Sequence, residues 1–140
     1  MKYIFYDKLC KDAINLRNKI FVEEQGFKNE FDDNDKKALH LVCYIDINPV
    51  ATGRIFPGED EGEYIIGRIA VAKEYRKLRL GSGILEALEQ KAKELGAKSL
   101  SLSAQTRAGG FYEKNGYMAS GEEYYDEFCP HVFMTKKLDY

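Results

Sequence analysis

The chain predicts an α/β (α+β) fold, a mixed and mostly antiparallel sheet of six to seven strands with helices on both faces. Three observations predict it. Two stretches repeat apolar residues at helical spacing: Ala13, Leu16 and Ile20, then Ile84, Leu85, Leu88, Ala92 and Leu95. The other apolar runs are short and bounded by turn residues, as strands are. The order of these elements interleaves single helices with directly connected strands. At 140 residues the expectation is one domain, 1–140, large enough for its own core.

Lys2–Tyr6 reads as the first strand, and residues 9–24 as an amphipathic helix with Asp7 as its N-cap and Gly26 as its stop. Residues 27–37 are polar and acidic and form a surface loop, since periodic structure resumes at once. Strands at 39–47 and 50–56 form a hairpin around Asn48-Pro49. A second turn, 57–62, leads into the strand Glu63–Val71. The helix of the second periodic stretch stops at Gly96, and residues 98–103 alternate Ser with Leu as a half-buried strand does. A short helix at 108–115 precedes two final strands, 117–120 and 131–138.

Composition narrows the function classes. With 21 basic and 23 acidic side chains the formal charge is −2, which argues against a sequence-independent nucleic-acid partner. Cys10, Cys43 and Cys129 are odd in number and widely spaced, the usage of reduced thiols in a cytoplasmic protein. No apolar run reaches membrane-spanning length, so no membrane partner is expected.

Basic residues gather instead at one turn. The run Ile69-Ala70-Val71 enters Arg76-Lys77-Leu78-Arg79-Leu80-Gly81-Ser82-Gly83 and opens directly into the second helix. A helix start leaves its first N–H groups unpaired and carries partial positive charge, which a pyrophosphate satisfies. Gly81 and Gly83 would let a phosphate reach the backbone, and Arg76, Lys77 and Arg79 add fixed charge. Downstream stands Phe111-Tyr112 followed by Gly116-Tyr117.

At these residues the chain resembles the GNAT superfamily of acyl-CoA-dependent N-acetyltransferases. Arg76 and Gly81 match the ends of that family's Gln/Arg-x-x-Gly-x-Gly/Ala motif, while Arg79 stands at its middle glycine and is expected to avoid positive φ. Further matches at Leu16-Arg17, Phe21-Val22, Glu24-Gln25-Gly26, Asp32, Asp35, Ala38, His40, Ala51–Arg54, Ala104-Gln105 and Pro130-His131 with Met134 point to the ElaA/YjcF-like branch. The resemblance implies a splayed parallel strand pair, 64–71 and 98–103, that admits the pantetheine arm of acetyl-CoA. Backbone groups of Ile69, Ala70 and Val71 would line that arm, and residues 77–82 would hold its pyrophosphate. Gln105 stands where many relatives carry an Asn that bonds the cofactor arm.

The implied chemistry is transfer of an acetyl group to the primary amine of a small molecule or peptide, by direct attack in a ternary complex. That requires an oxyanion donor, an acid for the departing thiolate and a neutral nucleophile. A strand N–H near Ile69 to Val71 is the expected donor, and Tyr112 the expected general acid, against its alternative as a core aromatic. The base is open among Glu24, Glu30, Asp32, His40 and His131. Arg17 and Arg54 are read either as anchors for an acceptor carboxylate or as partners of the acidic loop. No metal is expected, because no ligands stand at tight spacing. Cys129 beside His131 offers an acyl-enzyme alternative that direct transfer does not need. Tyr124 and Tyr125 are read as lining an acceptor site or a homodimer contact. Two other functions compete: an acyl-homoserine-lactone-synthase-like enzyme, which the lack of Trp opposes, and a catalytically idle CoA-binding module.

Overall fold

In the computed structural model, which describes residues 1–139, seven strands form one sheet in the order β1-β2-β3-β4-β5-β7-β6. The strands are β1 (Lys2–Tyr6), β2 (Leu39–Ile45), β3 (Asn48–Pro57), β4 (Glu63–Val71), β5 (Ser99–Gln105), β6 (Met118–Asp126) and β7 (Cys129–Lys137). Every neighbouring pair is antiparallel except β4 with β5. The helices are α1 (Lys11–Arg17), α2 (Leu80–Glu94) and α3 (Gly109–Lys114). Among the described residues no helix is long and apolar enough to cross a membrane.

Two cores sandwich the sheet. On one face Ile84, Leu85 and Leu88 of α2 pack on Leu41, Ile55, Ile66, Leu100 and Leu102. On the other, Ala13 and Leu16 of α1 pack with Ile20 and Phe21 on Val42 and Ala70. Adjacent residues of β2 therefore serve opposite cores, which is why that strand is almost continuously apolar. Helix α2 approaches β3 so closely that a Cβ on Gly53 would stand 3.0 Å from Ile84 Cγ2 and Leu88 Cδ1. The tight contact fixes how α2 lies against β3.

Three local expectations are corrected. The first helix starts at Lys11 with Cys10, not Asp7, at the N-cap, and after Arg17 it widens into a π-helical segment, Asn18–Glu24. There Gln25 N–H reaches back to Ile20 O at 3.0 Å, five residues away, before Gly26 ends the run at φ +86°. The β2–β3 turn is Asp46-Ile47 rather than Asn48-Pro49. Asp46 takes φ +56°, a conformation Asp tolerates, and Pro49 lies inside β3. Strand β6 runs to Asp126 instead of stopping near residue 120; it is exposed along its whole length and so lacks the apolar alternation that marks a strand.

Candidate active site

The β4–β5 ladder joins only Glu63 to Ser99, Tyr64 to Leu100 and Ile65 to Ser101, after which the two strands diverge. A bulge explains the divergence. Pairing with β3 shifts between Thr52 and Arg54, and Arg68 sits at φ +52°, so β4 bends where β5 continues straight along β7. The facing edges beyond Ile65 and Ser101 thus carry backbone groups without a strand partner. A cavity of about 260 Å³ occupies this opening, walled by Ile69, Ala104, Gln105, Tyr112, Glu30 and His131 among others.

Above the opening the chain turns through a 3₁₀ segment, Lys73–Leu78, into α2. Arg79 joins the two at φ +58° and ψ +29°, so the arginine adopts the left-handed conformation of the glycine it replaces. The expectation that it avoids positive φ was wrong; the turn keeps its geometry and accepts the strain. Lys77, Leu78 and Arg79 are exposed, whereas Leu80 is buried under the helix. A Cβ on Gly81 would meet only Phe111, at an ordinary 3.8 Å, so nothing in the protein itself demands glycine there. The open position leaves room for a ligand, and with Lys77 and Arg79 exposed beside it the residues present would fit a pyrophosphate. Gly83 instead turns its open side to the Tyr3 hydroxyl, where its lack of a side chain serves helix packing.

Other expected residues divide in the same way. Ile69 joins the α2-side core and Ala70 the α1-side core. Val71 pairs with Ala51, and its carbonyl accepts from Arg76 Nε at 3.0 Å. Arg76 also holds both Glu24 oxygens at 2.6 and 2.8 Å, which ties the turn to the end of the π-helical segment. That hydrogen bond is the main reason the Glu24 pKa falls, and it makes Glu24 a poor base. Gln105 lines the cavity, donating to Gln25 Oε1 and accepting from Arg107 Nε, each at 2.9 Å.

Tyr112 lines the cavity with its ring edge-on to Phe111 and Tyr117, at centroid distances of 5.1 and 5.8 Å. Burial pushes its pKa up to about 12, with no hydrogen bond contributing. The neighbouring Tyr117 hydroxyl, by contrast, donates to Glu89 at 2.7 Å and is structural. A phenol held protonated beside a cavity can deliver a proton to it.

The acidic loop is an ionic ring. Arg17 holds Glu30 at 2.8 Å and Asp35 at 2.7 Å; Arg54 holds Asp32 and Asp35, both at 2.7 Å; Arg68 holds Glu30 at 2.9 Å and Asp32 at 3.4 Å. Arg17 and Arg54 are 1% and 4% exposed, so their carboxylate partners belong to the protein and not to an acceptor. Burial works to raise the Asp35 pKa, but hydrogen bonds from Arg17, the Asp32 N–H and Arg54 prevail and hold it well below the usual range. Asp32 is lowered as well, by Arg54 and Arg68 against the opposing effect of burial. Glu30 is raised, because its burial outweighs the pull of the three arginines.

The two imidazoles differ. His40 is buried against the Asp35 carbonyl at 2.9 Å, away from the cavity, and burial pushes its pKa down. His131 lines the cavity, stacked on Tyr124. Its Nδ1 lies 2.9 Å from the Cys129 carbonyl oxygen. A carbonyl only accepts, so Nδ1 carries a proton and Nε2 is the ring nitrogen not engaged by that bond. The imidazole is thus engaged with the backbone of Cys129 and not its thiol. Burial raises that thiol's pKa, the opposite of an activated nucleophile. Glu127, in the β6–β7 turn, clamps the opposite wall by accepting from the Lys28 and Asn29 N–H groups at 2.9 and 3.0 Å.

Sequence reasoning missed Arg68, Arg107, Asp126 and Glu127. Each depends on a bulge or a turn that brings distant segments together, and no spacing signals that.

A two-sided α/β sheet with one splayed parallel pair and a basic strand-to-helix turn is the architecture of the GNAT fold. Residues 7–138 match the family model described as "Acetyltransferase (GNAT) domain", and the chain belongs to that family. It is 37% identical to the uncharacterized N-acetyltransferase YjcF of Bacillus subtilis (strain 168), over 93% of this chain and 94% of that one. The crystal structure of an acyl-CoA N-acyltransferase from Pseudomonas aeruginosa superimposes with a TM-score of 0.85 at 27% identity, covering 97% and 99% of the two chains. Escherichia coli ElaA shares the fold with a TM-score of 0.86 at 23% identity, over 97% and 99%. The expected ElaA/YjcF-like branch is therefore supported.

Proposed function

We propose that this acetyltransferase moves the acetyl group of acetyl-CoA onto the primary amine of a small molecule or peptide, in a ternary complex without an acyl-enzyme. The observation that carries the reading is the β4–β5 opening, whose cavity is lined by both the Tyr112 phenol and the His131 imidazole, on the strand that leads into the basic turn before α2. Acetyl-CoA, when bound, supplies an activated thioester.

The chain's own residues do the rest. N–H groups of residues 77–82, with Lys77 and Arg79, receive the pyrophosphate, and Gly81 leaves room for it. The unpaired edge of β4 near Ile69 to Val71 pairs with the amide-bearing arm as an added strand would, and provides an N–H for the developing oxyanion. Gln105 borders the arm. His131 Nε2 takes the proton from the attacking amine, and Tyr112 Oη gives one to the departing thiolate. The ionic ring is the rigid floor of the acceptor side rather than the base.

The test combines calorimetric titration with acetyl-CoA and a thiol-release assay over a panel of primary amines. Saturable binding with amine-dependent release is expected. Binding with no release from any amine overturns the enzyme reading in favour of an idle CoA module. A preference for long acyl thioesters over acetyl-CoA would instead favour the acyl-homoserine-lactone-synthase-like alternative.

A further inference from the structure

The cavity wall carries two arginines that differ in one respect. Arg68 is held by Glu30 and Asp32, whereas Arg107 makes no ion pair among the described residues. Glu24, the carboxylate whose charge Arg107 feels, has both oxygens taken by Arg76. Asp126 lines the same cavity and does not close on Arg107 either.

Arg107 is exposed, and one hydrogen bond orients it. Gln25 Oε1 accepts from Gln105 Nε2 at 2.9 Å, and Gln105 Oε1 accepts from Arg107 Nε at 2.9 Å. This relay runs from the end of the π-helical segment across the head of β5, and it consumes Nε while leaving both terminal guanidinium nitrogens without a partner among the described residues. The residue lines both the central cavity and an adjoining pocket of about 390 Å³ bordered by Phe27, Phe128, Cys129 and Pro130. A planar, oriented guanidinium with its two outer nitrogens unpaired is the geometry that binds a carboxylate through two hydrogen bonds.

We propose that Arg107 recognises a carboxylate on the acceptor, which makes the acceptor an amine that also carries an acid group, of amino-acid or short-peptide type, rather than a polyamine or an aminoglycoside. The amine end lies toward His131 and Asp126, the carboxylate end at Arg107, and the side chain of the acceptor enters the adjoining pocket with its phenylalanine walls. The inference rests on the acetyltransferase reading above and deepens it.

Acetyl-transfer rates are compared for pairs of amines that differ only in their carboxylate, each amino acid against its decarboxylated amine and its amide. The wild type is expected to favour the acid member by roughly tenfold to a hundredfold in kcat/KM, the range of a charged hydrogen bond at a partly open site. Arg107→Gln should erase that preference through KM, Arg107→Lys should keep part of it, and the acetyl-CoA Kd should not move. No preference in the wild type, or a preference that survives Arg107→Gln, overturns the proposal while leaving the acetyltransferase intact. A loss of acetyl-CoA affinity in Arg107→Gln overturns it by making Arg107 a cofactor residue. Should no amine turn over, calorimetry of the same pairs against CoA-saturated protein reads the carboxylate preference directly, and its absence is again decisive.

Discussion

Replacing Arg79 by glycine should make the protein more stable and a weaker CoA binder at once. Arg79 sits at φ +58°, a conformation that costs an L-residue roughly 1–2 kcal/mol. Glycine removes that strain, while its greater freedom in the unfolded chain cancels about 0.5–1 kcal/mol of the gain. The net gain is about 0.5–1 kcal/mol, which for a chain of this size raises Tm by roughly 2–4 °C. The same change removes an exposed positive charge from the phosphate turn. Its loss weakens pyrophosphate binding by up to about 1 kcal/mol, or roughly fivefold in Kd. Arg79→Ala separates the two effects, because it deletes the charge but keeps a Cβ at positive φ. Thermal melts and calorimetric titration with acetyl-CoA on all three proteins are the assay. A glycine variant that melts below the alanine variant would refute the claim that the turn is strained, and equal Kd values across the series would refute a role for the Arg79 charge.

The other predictions concern the cleft and its floor. Tyr112→Phe should lower kcat by on the order of a hundredfold with little change in acetyl-CoA affinity, measured by thiol release and calorimetry; equal loss of both would make the phenol structural. Gly81→Glu should abolish acetyl-CoA binding, since bulk and negative charge enter the phosphate turn, and an unchanged Kd would remove that turn from the site. Asp35→Asn should cost about 3–5 kcal/mol by denaturant unfolding, because it leaves Arg17 and Arg54 short of a buried partner. The wild type should also lose stability in acid. The Asp35 pKa is depressed on folding, so its contribution is complete above the unfolded value of about 3.9 and fades as pH falls below it. Asp35→Asn should flatten that acid limb.

What the sequence made legible was whatever repeats or punctuates. The periodic apolar positions of α2 and the Ser/Leu alternation of β5 placed both elements to within a few residues. The turn from β4 into α2 was readable because glycines and basic residues cluster at a helix start. Side-chain pairing was not readable. Arg17 and Arg54 carried two roles in the sequence, and only the fold, by burying them against Glu30, Asp32 and Asp35, decides for the ionic ring. Nor did any pattern separate His40 from His131; what separates them is which carbonyl each ring meets and whether a cavity stands beside it. Strand β6 shows the converse limit. A strand exposed on both faces has no reason to alternate, so its last six residues resemble a loop until β7 pairs with them.

The widened turn at Asn18–Glu24 has a bearing on how this chain can change. A π-helical turn accommodates one residue more than the helix around it, and everything after it is rotated by about 100° relative to a regular continuation. Glu24 and Gln25 owe their facing to that rotation, and through them so do Arg76 and Gln105. Deleting one residue from the segment would restore a regular helix and swing both side chains off the cleft with every amino acid type at the cleft unchanged. On this side of the molecule the spelling of the site is kept by chain length as much as by residue identity, and insertions and deletions are the edits to which it is most sensitive.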